Sequence, residues 1–422
     1  MGKLISKKWL SLFIICVGGG IVYILPYIQY SFYGVLQEAF GITNVQMGNL
    51  MTVLGLVSAV AYLLGGILAD KFNVKWLITI SLALTGLAGI WFSTFPSYPQ
   101  LMIIMLIYGF STVFTYWPAM IKAVKLLASD GEHGKMFGFR EAGFGLFAFI
   151  YSQLGTWLIF KASPDITGVR NIIFYYSIIY FVAAILSFIF IPNSSSNDVG
   201  NKAKEKVGMA ELMQGVRYVC KMPAVWIIGL MVFCAYCVSG PGLGKLVPYW
   251  TSQMGVDSST AAALSSARLY LLPFIAATIG GLLADKIGSA TKFLFRTFIL
   301  LSVAMIIFTL LPVGSNMAVA SIVLGFVASF IIYMMRGTYF VPMTEIKIPN
   351  KYIGTAAGVI SFIGFLPDAF MFTVFGNMMG ENPGAVEFKS IFWVCVVLSI
   401  VGGLLTIGAQ KLIRKQNALL SK

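Results

Sequence analysis

The sequence is poor in charge. Only 10% of its 422 residues are charged, and 59% are hydrophobic, whereas charged residues make up about 25% of an ordinary soluble domain. The mean hydropathy is +0.88. These values exclude a typical soluble protein. We expect an all-α integral membrane protein whose main surroundings are the lipid bilayer, because a helix satisfies its own backbone hydrogen bonds in lipid.

Histidine and cysteine are also scarce. The one histidine, His133, falls in a polar loop, which excludes a relay of histidines. The cysteines lie almost entirely within apolar runs, so neither a disulfide framework nor a zinc site is expected, and Cys234-x-x-Cys237 is interpreted as packing. No metal cluster, nucleophile motif or phosphate-binding loop appears. We therefore expect no metal, no cofactor, no enzymatic activity and no direct use of ATP. The five cysteines are Cys16, Cys220, Cys234, Cys237 and Cys395.

Acidic residues are the rarer of the two charge types, and the formal net charge is +14. A nucleic-acid-binding protein concentrates its lysines and arginines on one face. Here the basic residues lie between apolar runs, so no nucleic-acid partner is expected. Bases gather instead at alternate ends of those runs. The predicted outer loops hold only Lys161, Arg170 and Lys389. This asymmetry predicts a multi-pass protein of the cytoplasmic (inner) membrane with both termini cytoplasmic.

Apolar runs of about 20 residues, long enough to cross a bilayer, recur along the chain. They divide it into a six-helix half over 1–192, a cytoplasmic linker over 193–222 and a second six-helix half over 223–422. Within the linker, residues 208–221 fit either an amphipathic surface helix or a plain connector. The twelve predicted spans are 9–35, 44–69, 75–95, 99–124, 135–160, 171–191, 224–250, 258–284, 291–312, 316–343, 352–377 and 388–410.

One short motif occurs twice. The stretch from Gly66 to Asp70-Lys71 returns about 215 positions later as Gly281 to Asp285-Lys286, which indicates a duplicated unit. Small residues let helices approach closely, while an acid and a base keep the turn at the membrane surface. The motif resembles the G-x-L-A-D-[RK]-x-G loop between the second and third helices of each half in the major facilitator superfamily. Asn73 replaces the usual glycine, and Asn tolerates a left-handed backbone better than most residues.

That resemblance implies a secondary transporter that works as a monomer by alternating access, with two pseudo-symmetric six-helix bundles. Residues 354–358 and 364–365 look like the matching stretch of sugar-phosphate and organic-anion permeases in the superfamily. Lys122 stands where many members carry an arginine, and Glu141 stands where organophosphate exchangers keep a histidine. The arginines that those exchangers use in the first and seventh helices are missing. The first helix offers tyrosines instead, and the seventh offers only Lys245.

Bases outnumber acids within the spans. Glu141 and Asp368 are the embedded acids, with Glu345 near an inner end. Surplus buried positive charge is unfavourable until an anion offsets it, so the pattern favours a cavity for an anionic solute. The alternative is that the bases snorkel or pair internally. Arg268 lies too near the midplane for easy snorkelling. The embedded bases are Lys122, Arg140, Lys245, Arg268 and Arg336.

Aromatic and bend-forming residues add to this picture. Tyr23, Tyr27 and Tyr30 are spaced to share one helix face, where they line a wet cavity or pack against a neighbour. Glycine and proline predict bends in the first span at Gly18–Gly20 and Pro26, in the seventh at Gly240–Gly242, and in the eleventh at Pro367. Bends of this kind suit a gate.

We therefore predict a secondary transporter for a small organic anion, a sugar phosphate, sulfonate or carboxylate, working by anion exchange or with protons. Substrate contacts are assigned to Arg268, Lys245, Lys122, Arg336 and the three tyrosines. Two other functions stay open: a transporter-like sensor that binds solute without flux, and a proton-driven multidrug exporter of lipophilic cations. The residues assigned to proton coupling or gating are Glu141, Asp368, Arg140 and Glu345.

Overall fold

The computed structural model describes residues 2–128, 132–193, 209–346 and 352–420. Within these ranges the side chains of residues 2–6, 62–71, 133–134, 209–213 and 415–420 lie outside the description. Eleven of the described helices are long and apolar enough to cross a membrane. The predicted flexible linker falls almost wholly outside the described residues. Of the two alternatives for 208–221, the helix forms, as Met209–Cys220, and its position on the membrane surface stays a prediction.

The membrane helices follow the predicted order and are numbered here as spans 1 to 12. Span 1 consists of two helices, and several later spans contain irregular turns. The bounds are Gly2–Ile21 with Gln29–Phe40, Asn44–Lys71, Val74–Phe92, Tyr98–Leu127, His133–Leu154 with Gly155–Phe160, Ile166–Phe190, Pro223–Gln253, Ser258–Ile287, Ala290–Leu310, Ala318–Arg336, Ile353–Met379 and Ala385–Leu420.

The chain forms two compact units. Unit 1 comprises Met1–Lys202 and Asp257–Phe274, and unit 2 comprises Ala203–Val256 and Ile275–Lys422. The segment Asp257–Phe274, the first part of span 8, belongs to unit 1, whereas the sequence groups it with the second half. The segment belongs to unit 1 because it packs on span 5 and on the helix Gln29–Phe40. The boundaries at 192 and 223 stay predictions.

Polar side chains fix where several spans begin. Asp165 accepts a hydrogen bond from the Gly168 N–H, and Asp257 accepts one from the Thr260 N–H, at 3.0 and 2.9 Å. Asn73 does the same for Lys75 at 3.0 Å. These are N-caps, which satisfy N–H groups that have no partner within the helix. Asn73 does not use the left-handed conformation that asparagine tolerates: its φ is −68°, and it serves as the cap.

Three spans are interrupted where glycine and proline predict bends. Span 1 leaves the α-helix over Val22–Ile28, around Pro26, as predicted, whereas Gly18–Gly20 stay within the helix Gly2–Ile21, so the bend expected there is wrong. Span 7 contains a π turn at Val238–Gly242, and span 11 contains a 3₁₀ turn at Leu366–Ala369. Proline lacks the N–H that continues the helical ladder, which explains each position.

Other π turns were not predicted. They occupy Gly109–Tyr116 in span 4, Gly155–Phe160 in span 5 and Ala267–Leu271 in span 8. In spans 4 and 8 a proline follows closely, Pro118 and Pro273, and each leaves the carbonyl four residues earlier without its helical donor. Span 10 also differs from expectation. Its helix ends at Arg336 rather than near 343, and a short helix Pro342–Glu345 follows.

Unit 1 is held together by close backbone approach and paired hydroxyls. The hydroxyls of Ser81 and Thr115 are 2.6 Å apart, and those of Thr85 and Ser111 are 2.7 Å apart. Spans 3 and 4 are therefore joined by hydrogen bonds within their apolar interface. Gly20 packs directly against span 5, where a Cβ would lie 2.9 Å from the Ala148 nitrogen.

We predict that Gly20→Ala destabilises the protein by about 1–3 kcal/mol, because the added methyl group overpacks the contact between spans 1 and 5. The measurement is the Tm of the purified protein in detergent. Gly34→Ala is the matched control, since nothing lies within 4 Å of a Cβ at that position. A Tm for Gly20→Ala equal to that of Gly34→Ala would contradict the close approach.

Candidate functional site

Arg268 is the most deeply buried of the predicted substrate contacts. Only 1% of its surface is exposed, and it lies within the π turn Ala267–Leu271 of span 8. Among the described residues, no group accepts a hydrogen bond from its buried Nε or Nη1. An unsatisfied buried charge costs free energy. The predicted midplane base is therefore a buried cation with two vacant donors.

The backbone around Arg268 is fixed by neighbours in unit 1. Ser265 Oγ donates to the carbonyl oxygen of Tyr30 at 2.7 Å, and Gln153 Nε2 donates to that of Ala263 at 3.0 Å. Gly145 permits the approach of span 5, since a Cβ there would lie 2.8 Å from the Tyr270 carbonyl oxygen. The guanidinium of Arg268 is thus carried on a constrained stretch of backbone.

Arg140 lies on span 5 and is almost fully buried. Its guanidinium carbon lies 4.9 Å from the ring centroid of Trp117 and 5.2 Å from that of Phe144, within the range of cation–π attraction. Its Nη1 donates to Glu141 Oε1. Glu141 lies within span 5, as expected, and its side chain is 61% exposed.

The three predicted tyrosines do meet, although the helix between them is broken. The ring centroids of Tyr23 and Tyr27 are 6.1 Å apart, and those of Tyr27 and Tyr30 are 5.8 Å apart and nearly parallel. Tyr23 also lies 6.4 Å from Trp117 and 6.2 Å from Phe144. Aromatic rings thus connect the tyrosine group to Arg140.

Lys122 and Lys245 occupy different surroundings. Lys122 is half-buried on the last helix of span 4, Trp117–Leu127. Lys245 is 3% exposed and ends a 3₁₀ turn, Leu243–Lys245, inside span 7. Lys122 belongs to unit 1 and Lys245 to unit 2.

In unit 2, Asp368 is the buried acid. It is 8% exposed and sits in the 3₁₀ turn that interrupts span 11. Tyr236 donates its hydroxyl to Asp368 Oδ2 at 2.9 Å. Among the described residues, no donor reaches its buried Oδ1. Arg336, the last residue of the span 10 helix, is exposed.

Glu345 holds the start of span 9. Its carboxylate accepts hydrogen bonds from the Ala290 N–H at 2.5 Å, from the Thr291 hydroxyl and from Ser289 Oγ at 3.3 Å. A carboxylate at a helix N-terminus is stabilised by the helix dipole. This local contact explains the position of Glu345, and its assignment to gating or proton coupling stays a prediction.

The paired loops are only partly described. The backbone of Gly66, Asp70 and Lys71 ends the helix Asn44–Lys71, but their side chains lie outside the described residues. In the second copy, Asp285 and Lys286 are exposed, as expected for a surface turn, and nothing lies within 4 Å of a Cβ at Gly281.

Sequence reasoning missed Trp117, Phe144 and Tyr236, which contact the charged residues. Trp117 precedes Pro118 beside the π turn of span 4, and Tyr236 precedes the predicted bend of span 7. An aromatic residue beside a helix break is the signal that was available. Among the searched residues, no group of three or more His, Cys, Asp or Glu side chains is placed to hold a metal ion.

Comparison with known proteins agrees with this architecture. The chain is 30% identical to the inner membrane protein YihN of Escherichia coli (strain K12) over 98% of each chain. It is 27% identical to the lysosomal dipeptide transporter MFSD1 of Bos taurus, over 42% of this chain and 36% of that protein. A crystal structure of a bacterial homologue of the human lysosomal transporter Spinster superposes with a TM-score of 0.71 at 15% identity, covering 98% and 97% of the two chains.

That structural similarity shows the twelve-helix fold. Residues 9–371 match the sequence model of the Major Facilitator Superfamily. The expectation from the paired loops is confirmed. The chain is a multi-pass membrane protein that belongs to the Major Facilitator Superfamily.

Proposed function

We propose that this protein is a secondary active transporter that moves a small organic anion across the bacterial inner membrane as a monomer. The single observation that supports this most directly is Arg268, a buried cation with two donors that lack acceptors among the described residues. An anion that binds Arg268 offsets the cost of the buried charge. Occupied and empty states then differ in free energy, which is what couples binding to a conformational change.

The substrate class follows from the donors. A guanidinium binds carboxylates, phosphates and sulfonates, which accept several charge-assisted hydrogen bonds. We propose the sugar-phosphate and organic-anion permeases as the nearest branch of the superfamily. Lys245, Lys122 and Arg336 are secondary contacts in this proposal, and Tyr23, Tyr27 and Tyr30 supply an aromatic wall with hydroxyl groups.

A dipeptide is the second candidate substrate. The relative MFSD1 is named as a dipeptide transporter, and the carboxylate of a dipeptide suits Arg268 as well as a simple organic acid does. Uptake assays that include dipeptides beside sugar phosphates, sulfonates and carboxylates separate the two candidates.

Proton coupling is proposed to act through Asp368. Its carboxylate is buried, one oxygen has no donor among the described residues, and Tyr236 binds the other. Burial away from water favours the protonated form of a carboxylate unless charge compensates it. Glu141 is the weaker candidate because its side chain is largely exposed.

The location and orientation are also proposals. The relative YihN is an inner membrane protein, and bases gather at the ends of the spans that face the cytoplasm when both termini are cytoplasmic.

We predict that Arg268→Gln lowers anion uptake into proteoliposomes by about tenfold or more, since a hydrogen bond to a charged group contributes about 1.5–3 kcal/mol. The Tm should not fall, because the change removes an uncompensated buried charge. Uptake is measured for the panel of sugar phosphates, sulfonates, carboxylates and dipeptides. Arg296→Gln, at an exposed arginine of span 9, is the control. Transport by Arg268→Gln at the wild-type rate excludes Arg268 from the site.

Asp368→Asn should abolish the stimulation of uptake by an imposed pH gradient while exchange of internal for external solute continues. The amide keeps the shape of the side chain and cannot carry the proton. Initial rates with and without the gradient measure this. Glu38→Gln, at an exposed carboxylate, should respond like the wild type. A gradient response that survives Asp368→Asn removes this residue from proton coupling.

A fusion at the C-terminus tests the orientation. Green fluorescent protein should be fluorescent there and alkaline phosphatase inactive, because the first folds in the bacterial cytoplasm and the second requires export. The reverse pattern would refute a cytoplasmic C-terminus.

A further inference from the structure

Arg140 offers a second set of vacant donors, separate from those of Arg268. Its Nη1 is engaged by Glu141. Its Nε and Nη2 are buried, and no acceptor reaches them among the described residues. These two nitrogens lie on the same edge of the guanidinium group, where two oxygens of one carboxylate or phosphate bind side by side. The whole bidentate edge is therefore vacant.

We infer that Arg140, with Trp117 and Phe144, forms a binding subsite for an oxyanion carried on a ring-shaped or apolar body, and that Glu141 is a resident counter-ion that the ligand displaces. This inference rests on the proposed anion transport and narrows its substrate class. The anionic group binds the Nε–Nη2 edge. The body of the ligand packs on the aromatic rings.

The geometry of Glu141 supports its role as a replaceable partner. Glu141 contacts Nη1 alone and leaves both donors of the Nε–Nη2 edge open to another oxyanion. Its side chain is 61% exposed while that of Arg140 is 3% exposed. Glu141 engages one of the three guanidinium nitrogens and leaves Nε and Nη2 without an acceptor among the described residues. Arg140 therefore keeps two buried donors for an incoming anion, which displaces a partner that holds it through a single nitrogen.

The aromatic residues hold Arg140 and also define what fits beside it. The rings of Trp117 and Phe144 lie near the guanidinium, and Tyr23 lies near both rings. All three aromatic residues are only partly buried. A flat ligand body covers this remaining apolar surface, and stacked or edge-on ring pairs add attraction beyond area burial. An inorganic anion has no apolar body, so it gains neither the burial of apolar surface nor the attraction between rings.

The route to the edge passes Glu141. The Nε–Nη2 edge is covered, whereas the Nη1 side ends at the exposed carboxylate. Displacement of Glu141 releases Nη1 and lets the guanidinium turn its vacant edge toward the ligand. Binding and loss of the internal ion pair thus occur together.

The test is calorimetric titration of the purified full-length chain in detergent, above neutral pH, with acetate, benzoate, inorganic phosphate and phenyl phosphate. Benzoate should bind more tightly than acetate, and phenyl phosphate more tightly than phosphate, each by about threefold or more, because a ring pair is worth about 0.5–1.5 kcal/mol. Equal affinities within each pair, or no binding by any of the four, overturn the subsite.

Three variants separate the roles of the residues. Arg140→Lys keeps the charge but loses the planar edge, so the affinity for benzoate and phenyl phosphate should fall about tenfold or more. Glu141→Gln removes the competitor, so both affinities should rise by about threefold or more. Arg170→Lys is the matched control, because Arg170 also lies over a ring, that of Phe95 at 5.0 Å, and it is exposed. Its affinities should match the wild type.

The experiments distinguish failure of the Arg140 subsite from failure of the proposed site at Arg268. Wild-type affinities in both Arg140→Lys and Glu141→Gln overturn the subsite, whatever Arg268→Gln does to transport. If Arg140→Lys fails to fold, as judged by its Tm, Glu141→Gln still decides the matter, because its exposed side chain is not required for packing. Unchanged or weaker binding by Glu141→Gln contradicts its role as a displaced counter-ion.

Discussion

A charge held away from water raises the free energy of a protein until an opposite charge or a set of hydrogen bonds offsets it. In a membrane, a charged side chain reaches water only if it lies near the membrane surface. Arg268 and Arg140 in unit 1, and Asp368 in unit 2, each retain buried polar atoms without partners among the described residues. Apolar packing supplies the stability that allows these groups to remain, and the proposed anion and proton are what would satisfy them.

Three of the four buried charges among the described residues lie in irregular turns, and the fourth, Arg140, lies in a regular α-helix. Arg268 lies in a π turn, while Lys245 and Asp368 lie in 3₁₀ turns. Non-helical backbone at membrane depth is tolerated only where protein or a water-filled cavity satisfies it. Proline explains several of these turns, and Arg268, Lys245 and Asp368 lie within them. Breaks in the helical backbone and buried charges thus coincide at these three positions.

Much of this architecture follows from simple sequence patterns. Hydropathy gave the spans, the paired loops indicated the family, and glycine with proline located the breaks in spans 1, 7 and 11. Pairings over long sequence distances were not predictable. Trp117 and Phe144 meet Arg140, and Glu345 reaches the start of span 9, only because distant helices pack together. The exposure of the Glu141 side chain was not predictable for the same reason, because it depends on which helices pack beside span 5.

The π turn at Ala267–Leu271 changes how span 8 must be read along its length. An α-helix has 3.6 residues per turn, so one additional residue in a turn rotates everything beyond it by about 100°. Positions before and after Arg268 therefore belong to two different helical wheels. A labelling scan of this span should show a jump in its periodicity at the π turn, and a single wheel drawn through Asp257 and Lys286 would assign lipid-facing positions incorrectly on one side of it.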